Sequence, residues 1–449
     1  MNIFVAGGGR VGFHITRLLS GDRQDVTVIE RNPDRLEQID YTLDVSTAQG
    51  DGASVMLLQQ LGVSAADLFV ASMGNDETNL IAAATAKGLG AKEVVARVDN
   101  PMYIEANVLY ETVLGINYIL SPEALAALEI AHYVQQPGVL ASEAFGRGLV
   151  QMRQIRVSKT PTRNGKTLKD VIPPGSGVLL GLIDRKSTSQ IPHGDSVVEV
   201  GDHVTLVGHR DKLEGVQSLF MDTGDEARRV AIMGGSTIGL RVAKALEGRV
   251  KSIKLFERRE DRSEALAEQL TKAKVVCRDA TSRVALEQEH IDSVDVFVAA
   301  TNDDERNIMA GVLAKEVGAR IVIAVVHQPD FATLVERLGI DMAVTPRASF
   351  ANSVLKLVHR GQVTSLAVLS EGKVEVLEIP VGDGSPALGK SLADIGSRFP
   401  RGALVTTILR GDQVIVPSGD DEIEAGDSLI LISSAEALDG ARKLLQKKK

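Results

Sequence analysis

The sequence predicts an α/β protein: two tandem Rossmann-like parallel-sheet domains, each followed by a small α+β domain. Three observations carry that reading. Short β-branched runs alternate with helical stretches through the first third of the chain. The same pattern returns in the second half. In each copy a glycine-rich turn leads from the first strand into the first helix.

In chain order, Ile3–Ala6, Val26–Glu30, Asp67–Ser72 and Glu93–Val98 are apolar runs bounded by turn residues and read as strands. Helical spacing is clearest at Val11–Leu19, Ala53–Leu61 and Thr78–Leu89. Strand–helix alternation implies right-handed crossovers and a parallel sheet. Ser121 and Pro122 then open another helix, Ser as N-cap and Pro at its first position. Its broad face of Leu125, Leu128, Ile130, Ala131 and Val134 suits packing on its own domain or a subunit contact, and spacing leaves both open. In the smaller domain, Leu179–Ile183, Ser196–Val200 and His203–Val207 read as strands joined by Gly-Asp turns.

The repeat is specific. Ile3-Phe4-Val5-Ala6-Gly7-Gly8-Gly9-Arg10-Val11-Gly12 returns as Val230-Ala231-Ile232-Met233-Gly234-Gly235-Ser236-Thr237-Ile238-Gly239. Glu30 returns as Glu257, and Asn75-Asp76-Glu77-Thr78-Asn79 as Asp303-Asp304-Glu305-Arg306-Asn307. Ser121-Pro122 is matched by Thr345-Pro346, and Glu199-Val200-Gly201-Asp202 by Glu424-Ala425-Gly426-Asp427. The expected domains are therefore 1–135, 150–222, 228–360 and 363–446, with the polar stretch Met221–Glu226 as the linker between halves.

Gly7-x-Gly9-x-x-Gly12 follows a strand and opens a helix. Gly7 permits the tight turn, Gly9 lets backbone approach a pyrophosphate, and Gly12 lets the helix pack closely on the strand. Gly8, Arg10 and Val11 complete the turn, whose helix N-terminus offers N–H groups to phosphates. Glu30 ends the second strand, where a carboxylate accepts from ribose hydroxyls and repels a 2′-phosphate. That favours NAD over NADP, while ADP and ATP present the same ribose hydroxyls. Asp51 falls where an adenine would sit, and Met73, Gly74 and Asn75 follow the fourth strand at the sheet's carboxyl edge. Arg97 is placed either to reach a phosphate or to form a surface ion pair. In the second copy the corresponding candidates are Gly234, Gly235, Ser236, Thr237, Ile238, Gly239, Glu257 and Asp279. Ser236 puts a side chain where backbone should meet pyrophosphate, although its hydroxyl could also donate to one, so binding there is left open.

Composition narrows the function classes. The net charge is −9 and aromatics make up 3% with no Trp, which argues against general nucleic-acid binding. The single cysteine, Cys277, excludes an intramolecular disulfide and a multi-Cys zinc site and suits a reducing compartment. No apolar run approaches the roughly 20 residues of a membrane span. Met1-Asn2-Ile3-Phe4-Val5 carries no basic residue ahead of its apolar stretch and reads as a strand, not a signal peptide. The expected location is cytoplasmic, with any membrane role exerted through a partner.

These residues, with Gln49-Gly50-Asp51-Gly52, Ala96-Arg97-Val98 before Pro101, and Asp295–Glu305, resemble the RCK family, the regulators of potassium conductance also called KTN domains. The resemblance covers essentially the whole chain, and its most specific feature is the tandem order. It implies a nucleotide-binding N-lobe and a small C-lobe in each half, with NAD(H), ATP or ADP as ligand. It also implies a homo-oligomer, ring-like and a tetramer of tandem chains, docked on a membrane potassium-translocating subunit of Trk type and lying peripheral to the inner face of the cell membrane. Nucleotide exchange would then bias the transporter's gate. Ser236 departs from the family pattern, and Met73 and Gly74 are not the polar pair expected after the fourth strand.

Regulation of a potassium channel or potassium/proton antiporter is the nearest alternative. An NAD-dependent oxidoreductase would need a separate domain with a proton donor, and the eight His residues show no paired or His-Glu-x-x-His spacing. A redox-sensing repressor would need a helix-turn-helix, for which no segment outside the repeats remains. The chain is expected not to be an enzyme.

Overall fold

The computed structural model describes residues 1–21, 24–136, 138–159, 167–172, 175–185, 188–221, 229–359, 366–369, 374–396 and 398–446. Of the expected linker only Met221 falls within them. The chain divides into two compact units, neither continuous in sequence: Met1–Gln136 with Asp225–Val354, and Pro137–Gly224 with Leu355–Lys449. Each unit thus takes one module from each half.

The first N-lobe runs β1 (Asn2–Ala6), α1 (Arg10–Gly21), β2 (Asp25–Glu30), α2 (Pro33–Thr42), β3 (Ser46–Gln49), α3 (Val55–Gln60), β4 (Leu68–Ala71), α4 (Asp76–Leu89), β5 (Glu93–Arg97), α5 (Pro101–Glu105), α6 (Asn107–Leu114), β6 (Tyr118–Leu120) and α7 (Pro122–Gln135). Its six strands are parallel in the order β3-β2-β1-β4-β5-β6. Burial on both faces explains why β1 from Ile3 onward and all of β4 are apolar: Ile3, Val5, Phe69 and Val70 are wholly buried. Helix ends follow local chemistry. Asn32, Ser54, Asn75, Asn100 and Ser121 cap N-termini with their side chains, and α4 stops at Gly90 in a left-handed conformation with φ +116°.

The second N-lobe repeats this order with strands Lys274–Cys277, Ser252–Glu257, Arg229–Met233, Val296–Ala299, Ile321–Val325 and Met342–Val344. The partner of α7 is found here. It packs on the second lobe's helix Thr237–Leu246, and Ser349 donates a hydrogen bond to Glu129 on α7 at 2.6 Å. Ala126, Ala127, Ile130 and Val134 are buried, whereas Leu128, expected on the apolar face, is 62% exposed.

In the other unit each C-lobe is a five-stranded antiparallel sheet. The first has the order Thr188–Gln190, Val178–Arg185, His203–His209, Val150–Arg156, Val139–Phe145. The strand expected at Ser196–Val200 is absent. Val198 alone is buried there, between exposed Val197 and Val200, and the segment forms a turn in which Asp202 accepts from the Glu199 N–H. The sheet instead takes in Val139–Phe145, ahead of position 150. The second sheet runs Leu366–Leu369, Val374–Pro380, Ser428–Ser434, Ala403–Arg410, Gln413–Ile415. The two sheets share one core, in which Phe145, Met152 and Leu182 meet Val376, Ile430 and Ile432.

Candidate functional site

Strand order reverses between β1 and β4, so a crevice opens at their carboxyl ends. The turn after β1 enters it. Gly7 has φ +102°, and a Cβ there would lie 2.9 Å from the Met73 nitrogen. A Cβ on Gly12 would lie 1.7 Å from the Gly7 carbonyl oxygen, so this glycine exists for packing. On Gly9 a Cβ would meet nothing within 4 Å, which leaves that backbone open to approach. The Phe13 N–H closes the first helical bond on the Gly9 carbonyl at 2.8 Å, so the N–H groups of Arg10, Val11 and Gly12 stand ahead of the helical ladder.

Glu30 is 8% exposed and its carboxylate braces the turn. Oε2 accepts from the Gly8 N–H at 2.6 Å and Oε1 from the Asn32 N–H at 2.8 Å. Each oxygen keeps a further acceptor site, and Glu30 lines the crevice. Asp51 accepts from the Ala53 N–H at 3.0 Å and from Arg31 at 2.5 Å. The Ala53 N–H first, and then Arg31, hold its carboxyl below the usual carboxylate range. Asn75 caps α4 through the Thr78 N–H. Asn79 accepts from the Met73 N–H and donates to the carbonyls of Met73 and Arg97, which pins the ends of β4 and β5 together. Arg97 pairs with Asp99 at 2.5 Å, and its Nε is buried without a hydrogen-bond partner.

Gly7, Gly9, Arg10, Val11, Glu30, Asp51, Met73, Gly74, Asn75 and Arg97 come together around a cleft of about 580 Å³. Gly8 and Gly12 stand behind it, one bonded to Glu30 and the other packed on the turn. Sequence reasoning missed Arg31, Arg35, Gly52, Ser72, Thr78 and Glu123, which also line the cleft. It missed above all His327, Pro346 and Arg347, which reach the same cleft from the second N-lobe. The repeat marks Pro346-Arg347 as the counterpart of Pro122-Glu123, but gives no sign that it faces the other copy.

The corresponding cleft of the second copy is smaller, about 360 Å³, and holds Gly234, Gly235, Ser236, Glu257 and Asp279. Glu257 repeats the brace, accepting from the N–H groups of Gly235 and Arg259. Ser236 is engaged on both sides: its Oγ accepts from the Gly239 N–H at 3.1 Å and donates to the Ala300 carbonyl at 2.5 Å. Gly239 is packed, a Cβ there lying 2.0 Å from the Gly234 oxygen. Arg306 donates to both oxygens of Asp279 at 2.9 Å. Burial works to raise the Asp279 carboxyl, but hydrogen bonds from Thr281 and Arg306 outweigh it and bring it down to about 2. Thr237 and Ile238 face a different cavity of about 620 Å³, shared with Arg10, Glu123 and Asp304. Among the described residues no group of His, Cys, Asp and Glu is arranged to hold a metal ion, and no helix is long and apolar enough to cross a membrane.

Comparison with known proteins agrees with this architecture. The TrkA-N domain model matches residues 3–122 and 230–346, and the TrkA-C domain model residues 152–221 and 376–446. A Trk system potassium uptake protein TrkA homolog of Archaeoglobus fulgidus is 34% identical over 446 residues, covering 99% of this chain and 100% of the relative. The TrkA protein of Halomonas elongata is 32% identical, covering 96% and 95%. Among solved structures, the GsuK channel superposes with a TM-score of 0.65 at 20% identity, over 99% of this chain and 78% of that one. The GsuK RCK domain gives 0.63 at 20% identity, over 99% and 94%. With two TrkA-N and two TrkA-C domains in alternation, and relatives matched along nearly the whole length, the chain belongs to the family of Trk system potassium uptake proteins TrkA.

Proposed function

We propose that this protein is a nucleotide-binding regulatory subunit of a potassium-uptake system, acting on a membrane potassium-translocating subunit and not as an enzyme. The observation that carries the reading is the first cleft. An unobstructed Gly9 backbone, an uncapped helix N-terminus and the Glu30 carboxylate converge at the point where strand order reverses. The ligand class is an adenine nucleotide, NAD(H), ADP or ATP, all of which offer ribose hydroxyls to Glu30 and phosphates to the turn. One structural neighbour is the GsuK channel bound to NAD.

Residues of both N-lobes line that cleft, so a nucleotide's affinity depends on how the lobes are arranged. By linkage the nucleotide shifts that arrangement, and with it a bound transporter's gate, only by its differential affinity for the two states. A ring-like homo-oligomer on the cytoplasmic face of the membrane would carry the shift to the pore. The test is a calorimetric titration of purified protein with NADH, NAD, ADP and ATP, including competition between them. Mutual displacement, lost in Gly9→Asp, supports the reading; no binding of any of the four overturns it.

A further inference from the structure

The two N-lobes repeat one another in backbone but not in charge at one position. Glu123 follows Pro122 at the start of α7, and Arg347 follows Pro346 at the start of the helix Pro346–His359. Arg347 lines the first cleft together with Gly9, Arg10 and Val11. It makes no hydrogen bond or ion pair with any described residue, although it is partly buried. Burial first, and then the nearby Arg10, disfavour its charge. Asp304 is the carboxylate that counters this, but its oxygens are already taken by the N–H groups of His327 and Gln328 and by the His327 ring at 2.7 Å. Two guanidiniums thus converge beside an uncapped helix N-terminus, and no carboxylate among the described residues is bonded to either. An anion between them would relieve the repulsion and gain charge-assisted hydrogen bonds.

On the other side the charge is reversed. The second helix begins at Thr237 and Ile238, and the cavity they face is predominantly acidic, lined by Asp99, Glu123, Asp303, Asp304 and Glu305 against Arg10. Burial, and then Asp99, push the Glu123 carboxyl up, and Arg97 offsets them only in part. The second turn also lacks the opening of the first, because Ser236 occupies the Gly239 N–H.

We infer that Arg347 of the second lobe selects phosphate-bearing nucleotides at the first cleft, and that the second lobe's own cleft holds no pyrophosphate, so that one such nucleotide binds per chain. This rests on the reading of the first cleft as a nucleotide site and names the group that gives it specificity. Its physical consequence is that the phosphates are gripped from both lobes at once, while the ribose is held by the first lobe alone.

The experiment is calorimetry of the intact protein with adenosine, ADP and ATP, on the unaltered chain and on Arg347→Gln and Arg347→Lys. One ADP or ATP per chain is expected. Arg347→Gln should weaken ADP and ATP by about tenfold or more, the scale of one charge-assisted hydrogen bond, and leave adenosine unchanged. Arg347→Lys should recover part of the loss. Two equivalents of ADP per unaltered chain, an unchanged ADP affinity in Arg347→Gln, or an equal loss for adenosine and ADP would each overturn the inference. The last would mean that the side chain only supports the fold. If the unaltered chain binds neither these three nor NADH or NAD, the nucleotide-site reading itself fails, whereas binding of NADH or NAD without ADP or ATP overturns this inference alone, which keeps the two failures distinct.

Discussion

A Cβ at Gly12 would lie 1.7 Å from a backbone oxygen, while one at Gly9 would meet nothing within 4 Å. The two glycines therefore answer different questions. Gly12→Ala should lower stability by about 2 kcal/mol or more through overpacking of the turn, read as a drop in Tm, so a loss of ligand there says little about binding. Gly9→Ala should leave Tm near its original value and weaken nucleotides by crowding the phosphates. Glu30→Ala is expected to do both, because it strands the Gly8 and Asn32 N–H groups and also removes the proposed ribose acceptor. NADH, ADP and ATP should lose affinity together, and a loss confined to NADH would contradict a shared ribose contact. His14 on α1 makes a further residue-scale prediction. Burial, then Arg17 and Arg347, lower its pKa from 6.5 to about 4. Between those values the unfolded chain binds the proton and the folded one does not. Stability tied to this residue is therefore full above pH 6.5 and declines as pH falls toward 4. His14→Gln should flatten that part of a Tm-against-pH curve, and an unchanged slope would refute the assignment.

At the scale of elements, the parts legible in the sequence are those set by local chemistry. Ser121-Pro122 announces the N-terminus of α7, and the turn glycines, with Glu30 at the end of β2, locate the cleft. Ser196–Val200 misleads because three valines in five residues read as a strand, yet only Val198 is inside and the segment joins none of the four sheets of the described residues. Val139–Phe145 is hard to recognise because only its two end residues are buried. Arg347 and His327 are beyond reach, since nothing local records that an element faces a cleft built by the other half of the chain. The second cleft offers an element-scale test. Ser236→Gly frees the Gly239 N–H and should cost only about a few tenths of a kcal/mol, because glycine is a tolerable N-cap. Adding Arg306→Thr, the first copy's residue at that place, removes the ion pair to Asp279. The double variant should show a second, weaker adenosine-binding event by calorimetry. If it shows none, the cap and ion pair are not what closes that cleft.

The whole molecule is organised by pairing like modules across halves, and this predicts how half of it should behave. A chain ending at residue 221 would keep the first N-lobe and first C-lobe, each with its own sheet and core. It would also bare Phe145, Val150, Met152, Leu182 and Val207, which otherwise lie against the second C-lobe. Fully burying side chains of this kind contributes about 1.5–3 kcal/mol apiece, so five together outweigh what a marginally stable domain can leave in water. The C-lobes share one strand order, which gives the exposed face a ready partner in a second copy of itself. The half chain is therefore expected to be a dimer by light scattering at micromolar concentration. Leu182→Asp should disrupt that dimer and bring the C-lobe down with it. A monomer with an undiminished Tm would show that the shared core is not needed to hold either C-lobe, and the case for tandem duplication as a structural necessity would go with it.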